Sequence, residues 1–184
     1  TVASTQIQAD GSFSVDVTAL TAPYRLRATG TVGGQAYTLH SYASDASTTI
    51  NVTPFTDLIV ANTANILAGD FYSNGPSTGL LPADLAAQET ELQAKIQTVL
   101  TGLGLDAEVD LLATPFTVDY QGLDAALELV SITINESTLI ATITYVLDGS
   151  SITDDITASG EAAALAVSDV NALIEAVTDT ASIA

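Results

Sequence analysis

The chain has 184 residues, 47% of them hydrophobic and 14% charged, and its 22 acidic side chains stand against three basic ones for a formal net charge of -19. Such hydrophobicity is too high for a disordered chain and sufficient for a core. The charge repels a phosphate backbone and anionic lipid, which excludes nucleic acid as a partner, and no apolar run approaches the ~18 residues of a membrane span. With no cysteine there is no disulfide and no thiolate metal site. Methionine is absent even from position 1, and no signal-peptide pattern is present, so the expectation is a processed mature chain or a piece of a longer one. Abundant Thr, Ser, Ala and Asp with a single lysine resemble the composition of exported bacterial proteins.

In chain order, the first third reads as β structure. Ala9-Asp10-Gly11-Ser12 is a turn signal. Phe13, Val15 and Val17 then alternate with Ser14, Asp16 and Thr18, the period of a half-buried strand. After Pro23, Tyr24, Leu26 and Ala28 alternate with Arg25, Arg27 and Thr29, and Gly33-Gly34 predicts a hairpin into a returning strand over 36–42. A further strand is expected over 49–53. Together these predict a small antiparallel β-sandwich over 1–53.

Beyond Pro54 the period changes to that of helices. One helix is expected from Pro54 or Thr56 until Gly69-Asp70 stops it, followed by a loop over 72–80. Pro82 opens the strongest helix, with Leu85, Leu92, Ile96, Val99, Leu100 and Leu103 in one stripe, ending near Gly102 or Gly104. Short helices are expected over 105–113 and 122–130. Strands then recur over 131–135, 139–145 and 151–157, with turns at Asn135-Glu136-Ser137 and Asp148-Gly149, before a last helix over about 159–177. The predicted class is α+β: a sandwich over 1–53, with a helical and β part over 54–184 packed on it.

Catalytic constellations are missing from this sequence. His40 is the only histidine and reads as a structural residue, because a functional imidazole needs partners. No G-x-S-x-G elbow or S-x-x-K motif is present. Asp106, Glu108 and Asp110 alternate in a way that suggests weak Ca²⁺ association, but they lack the turning glycine and distal glutamate of a calcium loop. No other cofactor is implied. Arg25 and Arg27 share one strand face and are interface candidates in so acidic a chain, with Asp16 or another acid as their alternative cross-strand partner. Gly30 to Gly34 lacks any phosphate-loop spacing.

Asp10-Gly11-Ser12-Phe13-Ser14-Val15-Asp16-Val17 and Ala22-Pro23-Tyr24-Arg25-Leu26-Arg27-Ala28 together resemble the prealbumin-like sandwich repeats of bacterial surface proteins, the carboxypeptidase-regulatory-like or CnaB-like domains. Tyr37-Thr38-Leu39-His40-Ser41 and the stretch from Asn51 to Ala61 resemble an extension recurrent in exported bacterial proteins. The resemblance covers about residues 1–68. It implies a scaffold or adhesion role, and it transfers no functional residue. Some such domains carry a Lys–Asn isopeptide bond on a strand lysine, whereas the sole lysine here, Lys95, falls in a predicted helix. The first strand, within Thr1 to Gln8 and including Ile7, is short for such a sandwich, so if Thr1 is the mature terminus one sheet is expected to present an open edge.

The function expected from these features is a non-catalytic structural protein of the bacterial exterior or cell surface. It would self-associate into a filament or layer, or join other surface proteins, through strand addition and apolar packing, with Ile7, Arg25 and Arg27 at the interface. The alternative is a carbohydrate-binding or adhesin module of a longer surface protein, using Tyr24, Tyr37, Tyr42 and Tyr72.

Overall fold

The computed structural model describes residues 2–46, 49–158 and 163–167. Its elements, in chain order, are strands β1 (Tyr24–Val32) and β2 (Gln35–Ala43), helices α1 (Pro54–Ala64), α2 (Ala68–Asn74), α3 (Pro82–Gly102) and α4 (Gly122–Leu129), and strands β3 (Val130–Asn135), β4 (Ile140–Tyr145) and β5 (Ser151–Asp155). The class is therefore α+β, with a two-stranded antiparallel sheet β1-β2 and a three-stranded antiparallel sheet β3-β4-β5.

The β1-β2 hairpin closes through Gly33 and Gly34, whose φ values of 58° and 84° place both in the left-handed region that a two-residue turn of this twist requires. Val32 faces Gln35 across the turn, and the register runs to Tyr24 opposite Ala43. The strand expected over 13–17 does not form: residues 2–23 contain no ladder, and 49–52 are likewise irregular. Among the described residues, the first third thus holds a hairpin where five strands were expected.

Helix α1 forms the centre of the molecule. Phe55, Thr56, Leu58, Ile59, Val60, Ala61 and Asn62 are all buried, so the helix is enclosed on nearly every side and shows no clean amphipathic stripe in sequence. Its start is a capping box, in which Thr56 N–H donates to Thr53 Oγ1 at 3.3 Å and Thr53 N–H to Thr56 Oγ1 at 2.9 Å. Pro54 sits in the first turn, where its missing donor is harmless. The helix ends at Asn65 in a left-handed conformation (φ 56°), a residue type that tolerates that geometry. Gly69 and Asp70, expected to stop this helix, instead lie inside the separate α2.

Helix α3 buries Leu85, Leu92, Ile96, Val99 and Leu100 against α1, as the helical spacing requires. It terminates where Gly104 adopts φ 75° and Leu105 N–H returns to Leu100 O at 3.0 Å. The helix expected over 105–113 is a series of turns. Buried Asn51 holds it in place: its side chain donates to Leu111 O at 3.1 Å and Thr114 O at 2.9 Å, and its N–H to Leu112 O at 2.7 Å. β3, β4 and β5 form close to the expected spans and pair antiparallel in sequence order, with Ala141, Ile143 and Tyr145 of β4 buried on one face. One apolar cluster joins Tyr42 of β2, α1, α3, α4 and β4, and includes Leu165. Most of the helix expected over 159–177 lies outside the described residues. Within 163–167 the chain is not helical, and Leu165 N–H bonds Lys95 O at 2.8 Å. No helix among the described residues is long and apolar enough to cross a membrane.

Candidate functional site: an unpaired strand and an open edge

The segment before β1 keeps the strand pattern without the strand. Asp10 accepts from Ser12 N–H and Ser12 Oγ, forming the turn expected at Asp10-Gly11. Beyond it, Phe13, Val15 and Val17 are half-buried while Ser14, Asp16 and Thr18 are exposed, so the two faces already differ. Among the described residues, no main-chain N–H or C=O of 13–16 has a hydrogen-bond partner. Ile7 is 50% exposed and Val2 83%.

The hairpin next to it has two unlike edges. On β2, His40 N–H donates to Asp57 Oδ1 at 2.8 Å, and His40 C=O accepts from Thr56 Oγ1 at 2.9 Å. Side chains of the first turn of α1 therefore occupy the groups that an added strand would need. The His40 ring supports this seal: Nδ1 lies 2.8 Å from the same Asp57 oxygen, and the ring packs 5.5 Å from that of Tyr72. His40 is buried and structural in this arrangement, and Asp57 is the partner that sequence reasoning missed.

The arginines of β1 part company. Arg25 donates to Phe71 O at 2.9 Å, Gly75 O at 2.8 Å and Pro76 O, and stacks 4.5 Å over the Phe71 ring. It closes the carbonyl end of α2, so its guanidinium is committed within the molecule. Arg27 is exposed and rests 4.8 Å over the Tyr72 ring. Neither pairs with an acid among the described residues; Asp16 instead accepts from Thr18 N–H and Oγ1. Of the four tyrosines considered for sugar stacking, Tyr42 is buried, donating its hydroxyl to Leu80 O and accepting from Leu80 N–H. Tyr72 lies between Arg27 and His40, and Tyr37, 52% exposed, is the most open. Tyr24, half-buried, starts β1 opposite Ala43.

A second polar centre is internal. Lys95 of α3 is 4% exposed, with Nζ 2.6 Å from Asp154 Oδ1 of β5 and 4.0 Å from Glu91. Asp154 Oδ2 accepts from Asn62 Nδ2 of α1 at 2.7 Å. This triad ties α1, α3 and β5 together beneath a cleft of about 210 Å³ lined by Asn62, Asn65, Asp84 and Gln88.

Asp106, Glu108 and Asp110 are exposed and are not gathered into one site. Asp106 Oδ1 accepts from Glu108 N–H, and Asp110 Oδ1 from Leu112 and Ala113 N–H at 2.9 and 2.7 Å. Among the described residues no three His, Asp or Glu side chains are grouped to hold a metal ion. Much of the acidity serves turns in this way: Asp148 and Asp155 cap Ser150 and Thr157 as Asp10 and Asp16 cap Ser12 and Thr18. Those bonds lower the pKa of Asp10, Asp16 and Asp155 below 3.8.

Glu89 departs in the other direction. Burial, then the charge of Asp110, raises its pKa above 4.5, against the N–H bonds it accepts from Leu111 at 2.6 Å and Leu112. A carboxyl whose folded pKa is raised binds more protons folded than unfolded. Its contribution is fully present below 4.5 and is lost as pH rises through the folded value. Glu89→Gln is therefore expected to flatten the stability profile between 4.5 and neutrality and to match or exceed the native chain at neutral pH. The three lowered aspartates act only below 3.8, so they do not confuse the comparison. Thermal melts of both chains across that window check it.

A scan against protein-family models, a comparison with curated proteins and a comparison with solved structures each return no match.

Proposed function

We propose that this chain is a non-catalytic structural protein of the bacterial exterior that associates by strand addition, its N-terminal segment supplying the strand. The observation that carries this reading is the segment 13–17: alternating apolar and polar faces, with the main chain of 13–16 bonded to nothing among the described residues. Strand-forming sequence of this kind gains main-chain bonds only from another edge. In this reading the antiparallel sandwich expected over 1–53 is completed between chains, the β1-β2 hairpin receiving strands that it does not hold alone.

Charge sets the condition. Subunits of net charge -19 repel one another, and this repulsion is confined to ~8 Å at physiological ionic strength and to ~3 Å at 1 M. Association is expected to strengthen with salt, the reverse of an interface built on ion pairs. Light scattering of the native chain and of Val15→Pro across ionic strength tests this. The proline removes an unbonded N–H, so the monomer keeps its melting temperature while the strand loses a donor. Growth in native mass with salt, absent from Val15→Pro, is the expected result. A native chain that stays monomeric throughout, or a proline variant that associates equally well, would overturn the reading.

A further inference from the structure

We propose that the outer edge of β1 is the acceptor for segment 13–17 of a second copy of this chain; this rests on the strand-addition reading above and names its receiving surface. The N–H of His40, which donates to Asp57, and its C=O, which accepts from Thr56, point away from β1, so the Arg27–His40 pair is a non-hydrogen-bonded pair of the ladder. Antiparallel pairs alternate. Leu26–Ser41, Ala28–Leu39 and Gly30–Tyr37 are then the hydrogen-bonded pairs, and Val32–Gln35 closes the two-residue turn as such a pair must. The main-chain groups of Arg25, Arg27, Thr29 and Thr31 consequently face outward. Nothing among the described residues bonds them, whereas α1 blocks the opposite edge at His40. The β1 edge meets no such block.

The faces of donor and acceptor match. On β1, Tyr24, Leu26 and Ala28 are half-buried on one face, and Arg25, Arg27 and Thr29 occupy the other. On the donor, Phe13, Val15 and Val17 form the apolar face and Ser14 and Asp16 the polar one. Because the side-chain period is two, only a register that continues the apolar face of β1 also sets Asp16 on the side of Arg27. Charge excludes the competing partner. Two of the chain's three cations lie on β1, so pairing β1 with another β1 opposes like charges, whereas the segment 2–22 carries Asp10 and Asp16 and no cation.

The test is an NMR titration of the isotope-labelled full chain with a synthetic peptide of residues 10–18. Amide exchange is expected to slow at Arg25, Arg27, Thr29 and Thr31, with little change at Leu26, Ala28 and Gly30, whose N–H groups already serve β2. Thr29→Pro removes an outward donor, a position where an edge strand tolerates proline. It should weaken peptide binding by about tenfold or more while the hairpin signals of β2 persist. Arg27→Glu should weaken it too, and a peptide with Asp16→Lys should recover the loss. Slowed exchange at β3 or β5 in place of β1 would overturn this edge and leave strand addition standing, as would salt-driven association with β1 amides unchanged. Peptide protection of β1 in a chain that never self-associates would support the edge and overturn self-assembly. No binding at any residue would overturn the edge.

Discussion

Replacing Lys95 by alanine should destabilise the fold by about 3–5 kcal/mol, the range for breaking a buried ion pair from one side. Asp154 is 7% exposed and has Lys95 Nζ at 2.6 Å and Asn62 Nδ2 at 2.7 Å. With the ammonium gone, its charge remains in the core with one neutral donor. The loss belongs to the orphaned carboxylate, not to the attraction of the pair, and a second variant separates the two. Replacing Lys95 by Met together with Asp154→Leu and Asn62→Leu removes every polar member at once, and apolar replacements of buried pairs are neutral or stabilising by up to about 4 kcal/mol. Urea unfolding of both variants decides the matter. If Lys95→Ala loses less than about 1 kcal/mol, the triad is wetter than its burial indicates.

Asp57→Ala should lose about 2–3 kcal/mol, because a single carboxylate oxygen accepts both from the main-chain N–H of His40 and from its ring. Asp57→Asn retains an acceptor at that place and should lose roughly half as much. The alanine variant carries a second consequence. The hold on β2 at His40 then rests on Thr56 alone, and the freed N–H of His40 becomes available to another strand. Asp57→Ala is therefore expected to aggregate at lower ionic strength than the native chain, and this effect should persist when compared with a core variant of similar stability, such as Ile59→Ala. Chemical unfolding and turbidity measured side by side check both parts.

What could be read in the sequence divides along a physical line. The hairpin of β1 and β2 was legible because Gly33 and Gly34 fix the turn, and the turn fixes the register. β3 to β5 and α3 were legible for similar local reasons, namely a period, a turn signal and a cap. The segment 13–17 has the period of a strand, but a strand exists only with a partner, and the pattern says nothing of where that partner is. The break between α1 and α2 was missed because Asn65, not glycine, takes the left-handed turn, and Gly69 proved to be an ordinary helical residue. The polar centre was invisible for another reason. Lys95 and Asp154 are 59 residues apart and Asn62 and Asp154 are 92 apart, and no local pattern announces a contact at such separation. Arg25 and Arg27 share a face as expected, yet only the position of α2 makes the first an internal cap and leaves the second exposed.

The resemblance of residues 1–68 to sandwich repeats implied several strands, and the described residues of that region hold two. The proposed strand addition would reconcile the two descriptions, since a strand pattern would persist in a segment whose partner belonged to another chain. On the proposed strand addition, the acidic surface would have a regulatory consequence: association held back at low ionic strength and released by screening. The turn-capping role of Asp10, Asp16, Asp148 and Asp155 shows that part of this acidity also shapes the chain locally.

Hydrogen exchange of residues 13–17, compared between a dilute low-salt sample and the chain at high concentration and salt, tests the central claim most directly. Strand addition predicts fast exchange in the dilute sample, where the main chain of 13–16 is unbonded, and strong protection in alternate amides once the chains associate. Particles that grow while these amides exchange as fast as before would contradict it.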